Sequence, residues 1–332
     1  MRWIKRLLII IPALVILLIG GAMLINALTP RPISILTRQQ FDTSKKHQVY
    51  PRPKKFKQKT AGLTVQKNVK YGKHLSKSVM DVYLPPHASK RPVLFWMHGG
   101  AYVGGDKRDC QDYLKLLSAD TNQVVVNINY ALAPERHHAT PVRQLNQAIQ
   151  ATKQKYGKQI DWSNVTIGGD SAGAQISSEY VLALQNKKIR KMDQVQPVLK
   201  SQQVKKFVSL SGLLEPQKFT QVSDRTSSFL YAKCGWAYFA DKHFEKKKSI
   251  RDLSIISNVK DWAPKTFLTD GNTNTFTKQM NATAKAISDH NGQVTKVSYP
   301  KKTTKLNHEY QFDFSNKEAQ ETYAKLVDFL SK

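Results

Sequence analysis

Two cysteines in 332 residues, Cys110 and Cys234, are too few for a scaffold held by disulfides. Neither forms a Cys-x-x-Cys pair or stands at ligand spacing from a histidine, so no metal and no cofactor is implied. They read either as an extracellular pair or, more simply, as two unrelated core thiols. Acidic residues are scarce too: 24 Asp and Glu face 52 Lys and Arg, a formal net charge of +28. Such an excess first suggests nucleic acid. The lysines are spread along the chain, however, and no nucleic-acid motif accompanies them, so no nucleic-acid partner is expected. A membrane surface or an anionic envelope polymer explains the charge equally well. With 40% hydrophobic residues and five tryptophans, the chain is no disordered polymer, and it contains no internal repeat.

Long apolar runs are missing everywhere except at the start. Arg2, Lys5 and Arg6 precede an uncharged stretch from Leu7 to Leu28, 22 residues long. A helix needs ~20 residues to cross the hydrocarbon core, and a cleavable signal has an apolar region of only ~7–15. Residues 1–28 are therefore expected to be an uncleaved single-pass anchor with the rest of the chain outside the cell. Secretion after cleavage near Gly20-Gly21-Ala22 is the alternative. Residues 29–60 are rich in Pro, Lys and Arg with weak periodicity. They read as a tether near anionic headgroups or as a solvated linker.

From residue 61 to 332, β-like runs alternate with helical ones. Strands are expected over 79–85, 91–100, 122–130, 164–170, 205–214, 264–271 and 293–300. Helical spacing covers 142–157, 172–186, 274–292 and 316–332. This alternation predicts a mostly parallel central sheet with helices on both faces. Residues 215–262 interrupt it with Phe219, Phe229, Tyr231, Trp236, Tyr238, Phe239 and Phe244 and no strand period. The segment is either a cap over an apolar pocket or a packed excursion with no substrate role.

"GGDSAG" (168–173) lies where the strand 164–170 gives way to the helix 172–186. A serine between glycines at such a junction suits a cramped turn that exposes a nucleophile, with a helix N-terminus facing the reacting oxygen. A serine needs a base, and His308 in "TTKLNHEYQF" follows the last expected strand and precedes the final helix. An oxyanion needs donors. "FWMHGGAYVGG" (95–105) puts Gly99, Gly100 and Ala101 directly after a strand, where their N–H groups could join that of Ala172. His98 is then a residue that braces the loop.

With His98-Gly99-Gly100, "NYALAPE" (129–135), Pro141, "GDSAG" (169–173) and His308, the chain resembles the hormone-sensitive-lipase-like esterases of the α/β-hydrolase fold. The resemblance spans about residues 76 to 330. It implies Ser171 as nucleophile, His308 as general base, and Gly99, Gly100, Ala101 and Ala172 as oxyanion donors. The third glycine of the family's H-G-G-G is Ala101 here, and the family's usual acid position is occupied by Thr273 and Asn274. Asp270 is the nearest carboxylate and the chosen acid. Glu215 in "SGLLEP" and a neutral Asn274 are the alternatives. The resemblance implies a serine hydrolase cleaving carboxylic esters in a small-molecule substrate, short acyl or acetyl esters first, and the apolar N-terminus makes the expected enzyme a membrane-anchored one. A catalytically inactive binding protein at the cell surface, or a peptidase or acyltransferase on the same scaffold, are the competing readings.

Overall fold

A computed structural model describes residues 2–42, 51–72, 77–87 and 89–332. Among these, eight strands form one sheet: β1 (Thr64–Lys70), β2 (Val79–Leu84), β3 (Arg91–Met97), β4 (Val124–Ile128), β5 (Ile160–Asp170), β6 (Val204–Leu210), β7 (Lys265–Thr269) and β8 (Val294–Val297). Their order is β1-β2-β4-β3-β5-β6-β7-β8. The pairs β1–β2 and β2–β4 are antiparallel, and every other pair is parallel.

The helices are α1 (Arg2–Leu28), α2 (Arg31–Asp42), α3 (Phe56–Thr60), α4 (Gln111–Thr121), α5 (Thr140–Tyr156), α6 (Ser171–Ala183), α7 (Lys187–Asp193), α8 (Arg225–Phe239), α9 (Lys248–Arg251), α10 (Thr277–Asp289) and α11 (Lys317–Ser331). Side chains that alternate along β3 divide the core into two layers. Val93, Phe95 and Met97 pack with α5, α6 and α10, whereas Leu94 and Trp96 pack with α4 and α11. A strand covered on both faces must be apolar throughout, which is why β3, β4 and the end of β5 read as unbroken hydrophobic runs. Both cysteines are free and buried, in agreement with two core thiols.

Of α1, Ile10–Leu28 is long and apolar enough to cross a membrane, and it lies wholly outside the core. The expected linker is not uniformly irregular. Residues 31–42 form α2, which packs on α8, while residues 43–50 lie outside the described residues. The side α2 buries is Ser34 and Thr37, whose hydroxyls bond the carbonyls of Pro30 and Ile33 one turn back. A buried stripe of Ser and Thr leaves no apolar periodicity to read. Arg38 then fastens the helix to the body of the protein. It donates from Nε to Val103 O at 2.6 Å and from its terminal nitrogens to Ala133 O and the Glu135 carboxylate.

Candidate active site

Three parallel strands, β3, β5 and β7, deliver the site at their C-terminal ends. β5 ends at Asp170, and Ser171 opens α6 with a φ of +47°. A non-glycine residue pays ~1–2 kcal/mol for this left-handed conformation, the strain expected of a sharp strand-to-helix turn. Gly173 is required because the turn presses against β3: a Cβ there would sit 2.1 Å from Met97 O.

His308 Nε2 lies 3.0 Å from Ser171 Oγ, within hydrogen-bonding reach. On the other side of the ring, Nδ1 is 3.8 Å from Asp270 Oδ1. That separation is an ion-pair distance rather than a hydrogen bond. Both His308 Nδ1 and Asp270 Oδ2 are buried without a partner, and Asp270 Oδ1 accepts the N–H of Gly271 at 2.8 Å. Burial alone would lower the His308 pKa, but the carboxylates of Asp270 and Glu309 outweigh it and raise it above the ordinary imidazole value.

The alternative acids point elsewhere. Glu215 pairs with Lys218 Nζ at 2.6 Å, and its N–H donates to Gln279. Asn274 donates to Ser227 Oγ and accepts the N–H of Asp224, which ties it to the start of α8. Of the three candidates, Asp270 is the one the fold brings beside His308.

The loop after β3 is held by buried polar contacts. His98 is fully buried, stacked on Tyr130 at 4.3 Å, with Nδ1 2.7 Å from Gly99 O. Because that partner is a carbonyl, Nδ1 carries the proton. Burial lowers the His98 pKa and keeps the ring neutral. This is the bracing role expected of it. Asn129 accepts from Lys107 N–H and donates to Asp106 and so secures the far end of the loop.

One expected oxyanion donor is already spent. Gly99 N–H donates to Asp170 Oδ2 at 2.7 Å, and Trp96 Nε1 donates to the other oxygen at 2.7 Å. Gly99 thus anchors the loop to the turn at Ser171, and Gly100, Ala101 and Ala172 remain as candidate donors. Gly99 is wedged between two carboxyls, since a Cβ there would lie 2.5 Å from Asp170 Oδ2 and 2.8 Å from Glu309 Oε1. Burial, then repulsion from Glu309, raises Asp170 above the usual carboxyl range, and burial, with smaller repulsion from Asp109 and Asp270, raises Glu309. A cavity of about 140 Å³ opens beside them, lined by Gly100, Asp109, Asp170 and Glu309 and closed by Gln40 and Phe41 of α2.

A model of the α/β-hydrolase fold family matches residues 94–308, from β3 to the candidate base and well over half of the chain. The chain belongs to the hormone-sensitive-lipase-like family of α/β-hydrolases. Rabbit (Oryctolagus cuniculus) arylacetamide deacetylase is 37% identical over 106 residues, a stretch covering 29% of this hydrolase and 26% of that relative. Esterase B of Lactobacillus rhamnosis superposes with a TM-score of 0.72 at 17% identity, over 91% of this chain and 96% of that one. A bacterial heroin esterase gives 0.66 at 17% identity, over 89% and 90%. At such identities these structures establish the common fold.

Aromatic side chains cover the hydrolase's site. Phe276 meets the His308 ring edge-on at 5.3 Å, Tyr231 of α8 lies against Phe276 at 5.8 Å, and Phe219 stacks on Tyr231 at 4.6 Å. Tyr238, also on α8, stacks on Tyr102 of the loop after β3 at 3.8 Å. Asp170, Glu309 and Arg38 carried no signal in the sequence. The fold brings Gly99 to Asp170 from 71 residues away, Ser211 to Glu309 from 98 and Glu135 to Arg38 from 97, and no local pattern encodes that.

Among the described residues, one group could hold a metal by spacing: His138, Glu179 and Asp193. His138 Nε2 bonds Glu179 directly and lies 3.5 Å from Asp193. Burial, then Glu179, pushes Asp193 up to about 10, and burial brings Glu179 to about 7. The group is a proton-sharing network that ties the loop before α5 to α6, two turns beyond Ser171.

Proposed function

We propose that this protein is a carboxylic ester hydrolase working through an acyl-enzyme on Ser171. The observation that carries the reading is the 3.0 Å contact between Ser171 Oγ and His308 Nε2 at a strained strand-to-helix turn. Ser171 Oγ attacks the ester carbonyl and its proton passes to His308 Nε2. The N–H groups of Gly100, Ala101 and Ala172 receive the oxyanion. Collapse expels the alcohol, which takes the proton from His308. Water then attacks the acyl-enzyme, again giving a proton to His308, and the acid leaves as Ser171 is restored.

Asp270 orients the ring and offsets the charge on the imidazolium. Its gap to Nδ1 closes as that charge develops, because catalytic hydrogen bonds tighten on the way to the transition state. Ser171 is only 7% exposed beneath the aromatic cover, which favours short acyl groups. The segment 215–262 acts as that cover. In this reading α1 stays uncleaved as a single-pass anchor, and its basic flank holds the N-terminus inside so that the domain faces outward. Envelope-derived esters then meet the site, and the net charge of +28 favours contact with anionic polymers.

The test is hydrolysis of p-nitrophenyl esters of graded acyl length by the full chain in detergent. Acetate and butyrate should turn over faster than long-chain esters, and Ser171→Ala should abolish release. A folded wild type that hydrolyses none of them, or a Ser171→Ala variant that still does, overturns the reading.

A further inference from the structure

Exposed apolar side chains are not scattered over this molecule. Among the described residues, the large hydrophobics exposed outside α1 are Ile35 (39%), Leu36 (55%) and Phe41 (39%) on α2 and Phe229 (50%) on α8. These two helices pack on each other; α2 follows α1 directly in the chain, and Lys233 of α8 bonds the last turn of α1. Isolated exposed hydrophobics are ordinary, but their confinement to one pair of adjacent helices marks a contact surface.

The junction with α1 is also built. Lys233 and Lys242 donate to Asn26 O and Ala27 O, the last-turn carbonyls of α1, where a helix end attracts cations. Both ammonium groups lie over the Trp236 ring, at 5.0 and 5.6 Å. Tryptophan with lysine at the end of an apolar helix is the composition of a membrane–water boundary. Arg31 and Arg225, exposed at the N-terminal ends of α2 and α8, add positive charge to the same pair of helices.

We propose that the outer face of α2 and α8 rests on the anionic bilayer surface from which α1 emerges, so that the helices covering Ser171 are the ones touching lipid. The occupant is the bilayer because the face is continuous with α1 and is both apolar and basic, the pairing that interfacial helices use. The cover then opens against the membrane, and the substrate class follows: a short acyl group carried by an amphiphilic alcohol held in the bilayer. This substrate assignment rests on the esterase reading, whereas the docking does not.

The experiment uses the full chain in vesicles of phosphatidylcholine and phosphatidylglycerol. Nitroxide labels are placed at Leu36→Cys, Phe229→Cys and, as a control, Lys317→Cys on α11, across the sheet and 85% exposed. Labels at 36 and 229 should collide with oxygen far more than with a water-soluble nickel complex, and the control should show the reverse. If all three behave like the control, the docking is wrong. Labels at 36 and 229 shielded from both reagents would instead mean a protein partner or a second copy, and would equally overturn it.

The second readout is turnover. Leu36→Ser/Phe229→Ser should hydrolyse a bilayer-dissolved acetate ester roughly tenfold more slowly, the order expected from losing two partly buried apolar contacts, and a water-soluble acetate ester at the wild-type rate. Equal loss on both esters, or loss on neither, overturns the substrate assignment. If wild type hydrolyses neither ester the esterase reading fails, and the label measurements still decide the docking.

Discussion

Beneath Ser171, β3 and β5 run into turns whose spacing is set by main-chain atoms. Above it, α2 and α8 are held by side chains: an arginine on three acceptors, stacked rings, and two lysines on helix carbonyls. The floor tolerates almost no change of shape, since a single added carbon at Gly173 would strike Met97 O. The cover exchanges one soft contact for another. A rigid floor suits chemistry that needs sub-ångström placement, and a cover of separable contacts suits admission and release.

The comparison can be broken most severely from the floor. Ser171→Ala should lower kcat by at least about 10⁴-fold with the melting temperature little changed, since the hydroxyl is the proposed nucleophile. Asp270→Asn should cost roughly 10²–10⁴-fold in kcat. Glu215→Gln and Asn274→Ala, measured on the same soluble ester, should stay within about threefold. A reversed ranking would move the acid to another residue. Gly173→Val should destabilise by more than about 3 kcal/mol, read as a lowered melting temperature, because β3 cannot recede from the turn.

Effects at the cover should be smaller and of another kind. Arg38→Ala removes the clamp on Val103 O, Ala133 O and Glu135 and should cost about 1–2 kcal/mol of stability. It should raise KM for a soluble ester more than it lowers kcat. Glu309→Gln should have the least effect on rate at neutral pH and act mainly on pH dependence. His308 must be neutral to accept a proton, and the Asp270 and Glu309 carboxylates hold its pKa above the usual value. Removing one of them lowers that pKa, so the acid limb of kcat/KM should move to lower pH.

The same division explains what could be read from the chain. β3, β4 and the apolar end of β5 are buried on both faces and stand out as hydrophobic runs, β2 stands out by alternation, and α5, α10 and α11 carry amphipathic spacing. The expected strands ran a few residues long at 91–100, 205–214 and 264–271, because they took in the first residues of the loops that carry the site. β1 escaped notice since it is an edge strand with mostly exposed, polar side chains. α4 escaped because it is short, follows a glycine-rich loop and mixes Asp and Lys into its first turns. α2 hides its buried side behind Ser34 and Thr37.

In the site, the pairing of Ser171 with His308 was legible because each sits at a fixed place relative to a strand and a helix, and the fold brings them within 3.0 Å. The acid was less so, since Asp270 stands before Gly271 and not beyond it, and only the fold puts it beside His308. Gly99 looked like a free donor in the sequence. Its N–H proved to be committed to Asp170, a pairing across 71 residues that no local pattern announces.

The most direct measurement is fluorophosphonate labelling of the full chain, read by intact mass and peptide mapping. One adduct per chain on the peptide containing Ser171, lost in His308→Ala, is the predicted result. A correctly folded chain that takes no adduct, or one that takes it on a different residue, would contradict the assignment of Ser171 as the nucleophile.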